Sequence, residues 1–201
     1  MEEEEHSMIN RLVRGVALPF VLAAVSSIGL VAQTSHKMAN DKTETSSGQL
    51  APADRQFIKK AAQGGLAEVE LGKLATEKAA SPEVKQFGQR MVDDHGKAND
   101  QLKQVASQKG ITVPEKLNAK DAATKARLEK LSGKAFDRAY MQDMVADHTK
   151  DVSEFRTESK SAKDPDVKSF ASQTLPTLKD HLKEAKSIAP KRTKPSPSGT
   201  H

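Results

Sequence analysis

From residue 54 to residue 188 apolar side chains recur every three to four positions, the spacing of amphipathic helices rather than the alternation of strands. The first run, DRQFIKKAAQGGLAEVELGKLATEKAA at 54–80, is apolar at 57/58, 61/62, 66, 69, 71 and 74, with Asp54 placed to cap it. Ser81-Pro82 ends that helix and opens a second, because proline's missing N–H costs nothing in a first turn. Val84, Phe87, Met91, Ala98, Leu102 and Val105 form the core stripe of this second helix, which stops at Gly110. A loop at 110–118 leads to AKDAATKARLEKL, 119–131, a short crossover helix interrupted by Ser132-Gly133. A long helix over 134–161 turns Phe136, Tyr140, Met144, Val152 and Phe155 inward. Asp164-Pro165 breaks it, and a fourth long helix covers 166–188. Pro176 inside that helix predicts a kink.

Two blocks repeat. SPEVKQF at 81–87 returns as DPDVKSF at 164–170, so each half holds a helix, an x-Pro break and a helix. MVDDHGK at 91–97 returns as MVADHTK at 144–150. Two αα-hairpins joined by a long crossover predict an all-α, ferritin-like four-helix bundle with a short extra helix in the connection. Each hairpin alone would expose an apolar face, and pairing buries both. Gly64, Gly65 and Gly72 weaken the first helix, and their expected use is close approach to a bulky neighbour such as Met91 or Phe155.

Composition agrees: 29% of the 201 residues are charged and 3% are aromatic. Cysteine is absent, which excludes disulfides, thiolate metal sites and a lipoprotein anchor. Residues 54–189 carry 25 Lys and Arg against 21 Asp and Glu, interspersed, which reads as solvated helix faces and not as a nucleic-acid surface. The termini differ from this middle. Arg11 and Arg14 precede the uncharged run GVALPFVLAAVSSIGLVA, so residues 1–34 read as an export signal, with Met8 as an alternative start that would leave a conventional basic n-region. Retention of that run as an inner-membrane anchor is the alternative, weakened by Pro19 and Ser26-Ser27. Residues 35–53 read as a linker, 54–189 as the bundle, and 190–201 as a disordered basic tail rich in Pro and Ser that could touch an anionic envelope surface.

Three histidines fall on inward stripes: His95, His148 and His181. Glu68 is the comparable carboxylate on the first helix. Glu68 and His95 stand almost equally far along the chain from Pro82, one before it and one after; His148 and His181 flank Pro165 in the same way. In an antiparallel hairpin equal counts from the turn mean equal height, at about 1.5 Å per residue. Polar groups at one level of an apolar interior must satisfy one another or hold an ion. Either they form a hydrogen-bonded core network, with Asp94 and Asp147 as partners, or His95, His148, His181 and Glu68 ligate a single Zn, Fe, Mn or Cu ion. Diiron chemistry is not indicated, because Val92, Val145 and Leu178 stand where a diiron bundle places Glu three residues before its histidines. No phosphate loop or activated nucleophile is evident, so a binding, scaffolding or stress-related role ranks above an enzyme.

The segments DRQFIKKAAQGGLAEVELGKLA, SPEVKQFGQRMVDDHGKANDQL, KGITVP, FDRAYMQDMVADHTKDVSEF and LKDHLKEAK resemble a family of exported bacterial proteins, domain of unknown function 4142, within the ferritin-like group. The resemblance spans about residues 53–189. It implies a ferritin-like bundle in the periplasm or at the envelope and carries over no catalytic residue. The family's repeated Asp-His positions match Asp94-His95, Asp147-His148 and Asp180-His181.

Overall fold

Prolines set the frame. In the computed structural model, which describes residues 50–190, the helices are α1 (Pro52–Lys78), α2 (Pro82–Gln108), α3 (Ala119–Glu129), α4 (Gly133–Ser161) and α5 (Pro165–Ile188). α1, α2 and α5 each begin on a proline, whose fixed φ suits a first helical turn. Gly110 and Gly133 take positive φ, +64° and +58°, where the chain leaves α2 and enters α4. α1 packs along α2 and α4 along α5, and α3 lies in the crossover between the two hairpins. This is the ferritin-like four-helix bundle expected from the hydrophobic pattern. Among the described residues no strand occurs and no helix is long and apolar enough to cross a membrane. The export signal over 1–34, most of the linker over 35–53 and nearly all of the tail over 190–201 lie outside the described residues.

The core has two layers on either side of the bundle's mid-height. One is built on Phe57, Leu102, Phe155, Phe170 and Leu178, the other on Phe87, Met91, Phe136, Tyr140 and Met144. In the first, Phe57 meets Phe155 edge to face with ring centroids 5.0 Å apart.

Asp54 is not a helix cap. α1 starts at Pro52 with Ala51 in the cap position, which puts Asp54 in the first turn, 1% exposed. Its carboxylate accepts the backbone N–H groups of Lys163 (3.0 Å) and Asp164 (2.7 Å) in the turn between α4 and α5. Asp137, in the first turns of α4, does the same for the first hairpin, accepting from the N–H groups of Ala80 and Ser81 at 3.0 Å. The offset in sequence between Asp54 and Asp137 also separates Pro82 from Pro165, Phe57 from Tyr140 and Phe87 from Phe170. The chain is therefore a duplicated hairpin in which each copy's leading helix latches the other copy's turn.

The glycines divide. A Cβ on Gly72 would meet the Gly88 carbonyl oxygen at 2.6 Å and Met91 Cβ at 3.2 Å, so α1 and α2 touch backbone to backbone there. A Cβ on Gly65 would meet Asn99 Oδ1, not Met91 or Phe155, and one on Gly64 would meet nothing within 4 Å. α5 runs through Pro176 without interruption.

Candidate metal centre

Each helix of the bundle contributes one polar residue to the level between the two apolar layers: Glu68 from α1, His95 from α2, His148 from α4 and His181 from α5. They are 3%, 6%, 0% and 1% exposed, so every one of their polar atoms depends on what the interior supplies. The three ring centroids form a nearly equilateral triangle with sides of 5.6, 5.4 and 5.3 Å. One ring nitrogen from each lies within 4.8 Å of the others, a clustering that no other group of three or more His, Asp or Glu side chains achieves among the described residues. Phe87 closes the apolar side, with its ring centroid 6.4 Å from those of His148 and His181. On the opposite side a polar cleft of about 250 Å³ between α2 and α5 is lined by Asp94, His95 and His181 with Gln101, Gln173 and Thr177.

The hydrogen bonds around the rings define their tautomers. His148 Nδ1 lies 3.0 Å from the Met144 carbonyl, which can only accept, so Nδ1 carries the hydrogen and Nε2 an unshared pair. His181 Nε2 lies 2.9 Å from Asp94 Oδ2 and donates to it, which leaves the unshared pair on Nδ1. Asp94 is ionised: burial alone would raise its pKa, but the bonds from His181 and Arg90 outweigh that and hold its carboxyl below the usual range. Arg90 joins Asp94 (3.2 Å) to Glu184 (2.5 Å) and anchors the chain at the surface. His148 Nε2 and His181 Nδ1 lie 3.3 Å apart, and with both rings neutral in these tautomers each turns an electron pair to the other. His95 Nε2 is buried with no hydrogen-bond partner among the described residues.

A proton does not settle this contact at neutral pH. Burial, reinforced by the neighbouring His181, pushes His148 down to about 4. Burial, with His148 and His181 nearby, pushes His95 well below the ordinary histidine range, and burial also lowers His181. Three neutral imidazoles thus converge their electron pairs. Two nitrogens on one ion at about 2.0–2.1 Å, tetrahedrally arranged, lie about 3.3–3.4 Å apart, which is the separation of His148 and His181. Asp94 behind His181 is the kind of outer carboxylate support that metal-binding imidazoles use.

Glu68 reaches the same level, with Oε1 3.7 Å from His148 Nδ1 and Oε2 without a hydrogen-bond partner among the described residues. Burial first, then Asp151 and Asp147, raise its carboxyl well above the usual range. The three Asp-His pairs of the sequence are not equivalent. Asp94 bonds His181 rather than its neighbour His95, Asp147 lines a groove on the α1–α4 side, and Asp180 is exposed. Adjacent helical residues diverge by about 100°, so an Asp cannot serve the His next to it. Nor do the histidines follow the duplication: the positions equivalent to His148, His181 and His95 in the other copy hold Gly65, Ala98 and Leu178. MVDDHGK lies on the second helix of one hairpin and MVADHTK on the first helix of the other. Sequence reasoning misses Arg90 and Glu184, for which only the four-residue spacing of Arg90 and Asp94 hints at a pair.

Residues 39–188 match a protein family described as a domain of unknown function, DUF4142. Among solved structures the chain is similar to a DUF305 fragment from Deinococcus radiodurans, at 17% identity and a TM-score of 0.61, covering 69% of this chain and 96% of that one. It is also similar to CopM in its silver-bound form (17% identity, TM-score 0.56) and its Cu(I)-bound form (18%, 0.56), each covering 67% of this chain and 93% of CopM. At these identities the likeness is one of fold. No curated protein matches the chain.

Proposed function

The chain belongs to the DUF4142 family, and on that footing we propose that it is an exported, non-enzymatic bundle that binds one transition-metal ion through His95, His148 and His181. Glu68, the proposed fourth donor, stands behind His148 with Oε1 3.7 Å from Nδ1, the nitrogen bonded to the Met144 carbonyl, and has to swing inward to reach the ion. The observation that carries this reading is the convergence of three buried ring nitrogens to within 4.8 Å of one another, with His148 Nε2 and His181 Nδ1 only 3.3 Å apart. A hydrogen-bonded core network would have given His95 Nε2 a partner among the described residues. Imidazole donors suit copper, zinc, iron and nickel, and copper stands highest in the general order of affinities. Copper is the first candidate for a second reason: CopM, which shares the fold, is known in silver- and copper-bound forms. Export is supported by the basic and apolar pattern of residues 11–32.

Metal analysis of untagged protein, followed by titration of the metal-free chain with Cu(I), Zn(II) and Ni(II), tests the reading. One equivalent bound by the wild type and lost in His95→Gln or His148→Gln is expected. Substoichiometric metal together with no saturable binding of any of the three ions would refute it.

A further inference from the structure

The three imidazoles differ in how they are held and in what lies beside them. The Met144 carbonyl tethers the His148 ring at 3.0 Å, and Asp94 tethers His181 at 2.9 Å. Among the described residues no such bond holds the His95 ring, whose Nε2 is buried without a partner. His95 also has space on two sides. It lines the polar cleft of about 250 Å³ between α2 and α5, and a separate void of about 30 Å³. His148 lines neither. Gly65, Ala98 and Leu178 border the void, and these are the duplicate positions of His148, His181 and His95. Two of the three imidazoles of the real centre are there reduced to a hydrogen and a methyl group, which leaves the space unfilled. The void has room for a water molecule or two, not for an ion with its shell.

The α2–α5 cleft is large enough for a partly hydrated ion, and its lining forms a path. From His95 it continues along Ala98 and Gln101, and from His181 along Thr177 and Gln173, successive turns of each helix. α2 runs from the Phe87 layer to the Leu102 layer and α5 from Phe170 to Ala185, so the helices are antiparallel. Both rows therefore lead the same way from the centre. An ion leaving water pays a large desolvation cost unless polar atoms replace its shell. Gln101, Gln173 and Thr177 offer neutral oxygens for that purpose. Such oxygens bind copper far less well than imidazole does, so the cleft passes the ion on and the trio keeps it. Lys97 is exposed at the rim, and Asp94 is already engaged by His181 and Arg90. The other approaches are poorer. Phe87 closes the apolar side, and no histidine is among the residues lining the cleft between α1, α3 and α4.

Resting on the metal centre proposed above, we propose that the ion enters and leaves through the α2–α5 cleft. His95 is the swinging ligand that meets it there and carries it to the tethered pair, His148 and His181. The probe is Cu(I), exchanged in stopped flow between the full chain and the coloured chelator bathocuproine disulfonate. Thr177→Phe, at a half-buried position one turn from His181, sets a ring in the cleft. An obstruction raises the barrier in both directions and leaves the end states alone, so uptake and release should both slow roughly tenfold with Kd within about twofold of the wild type. Ala146→Phe, at an exposed position in the cleft between α1, α3 and α4, should leave both rates unchanged. In carbon–proton NMR spectra of the metal-free wild type, the His95 ring should show exchange broadening on the microsecond to millisecond scale, with His148 and His181 sharp. Unchanged rates in Thr177→Phe, uptake slowed without release, slowing in Ala146→Phe, or a His95 ring as rigid as the other two would each overturn the proposal and leave the metal centre standing. No Cu(I) uptake by the wild type would remove the centre itself, and the proposal with it. If Thr177→Phe does not fold, Gln101→Trp, exposed on the facing wall of the cleft, takes its place with the same expected slowing.

Discussion

His148 and His181 are oriented from behind, and that orientation gives the centre its meaning. The Met144 carbonyl holds one hydrogen of the pair and Asp94 the other, so both rings turn an electron pair inward. Asp94 is thus a positioning residue. Asp94→Asn keeps the shape but removes the charge and can offer His181 a donor instead of an acceptor, which reverses the ring's tautomer. Metal affinity should fall by roughly ten- to a hundredfold, while the metal-free protein unfolds within about 1 kcal/mol of the wild type in urea. Asp151 tests the charge on the other face. Burial raises its carboxyl to about 6 from an ordinary 3.8, partly offset by Lys150. The folded state then binds more protons than the unfolded state between those values, so Asp151 costs stability at neutral pH, and the cost fades as pH falls from about 6 to about 4. Metal-free Asp151→Asn should be more stable than the wild type by about 2 kcal/mol at pH 7, with the gap closing towards pH 4. Urea unfolding at both pH values measures it, and a gap that widened on acidification would contradict the assigned environment.

At the scale of the helices, α1 and α2 meet backbone to backbone at Gly72 and Gly88, while Gly64 meets nothing. Gly72→Ala should destabilise by roughly 2–3 kcal/mol, because the contact is a main-chain oxygen that cannot rotate away. Gly64→Ala should stabilise by about 0.5–1 kcal/mol through helix propensity alone. Thermal unfolding of the two variants separates these signs. The turn latches are graded by burial. Asp54→Ala removes a buried carboxylate and strands two N–H groups in a partly buried turn, which should cost about 2 kcal/mol, and Asp137→Ala, at a more open turn, about 1 kcal/mol. Helix order and turns are legible in the sequence because Pro82, Pro165 and Gly110 act locally, and because position relative to a turn translates directly into height. That reasoning brings His95, His148, His181 and Glu68 to one level correctly. It could not reveal that Asp94 serves His181, since which flank of α2 faces α5 depends on the rotation of each helix, and an error of one residue turns a side chain by about 100°. Asp54 misleads for a related reason. Asp in a first turn looks like a cap, and only the second hairpin's turn, far along the chain at Lys163, shows its partner.

On the scale of the whole molecule the duplicated hairpins are held by latches at their ends, by apolar layers above and below, and by the polar level between. His95 belongs to one hairpin and His148 and His181 to the other, so an ion on the trio joins the two halves. Binding to the folded state alone adds about 2.7 kcal/mol at a free concentration of one hundred times the dissociation constant. For a domain of this size that is a rise of roughly 5–10 °C in Tm. The most direct measurement is the thermal unfolding of the metal-free full chain with and without excess Cu(I), run beside His148→Gln. The wild type should gain roughly 5–10 °C and the variant nothing. An unchanged wild-type Tm, or an equal rise in the variant, would contradict a metal centre at His95, His148 and His181.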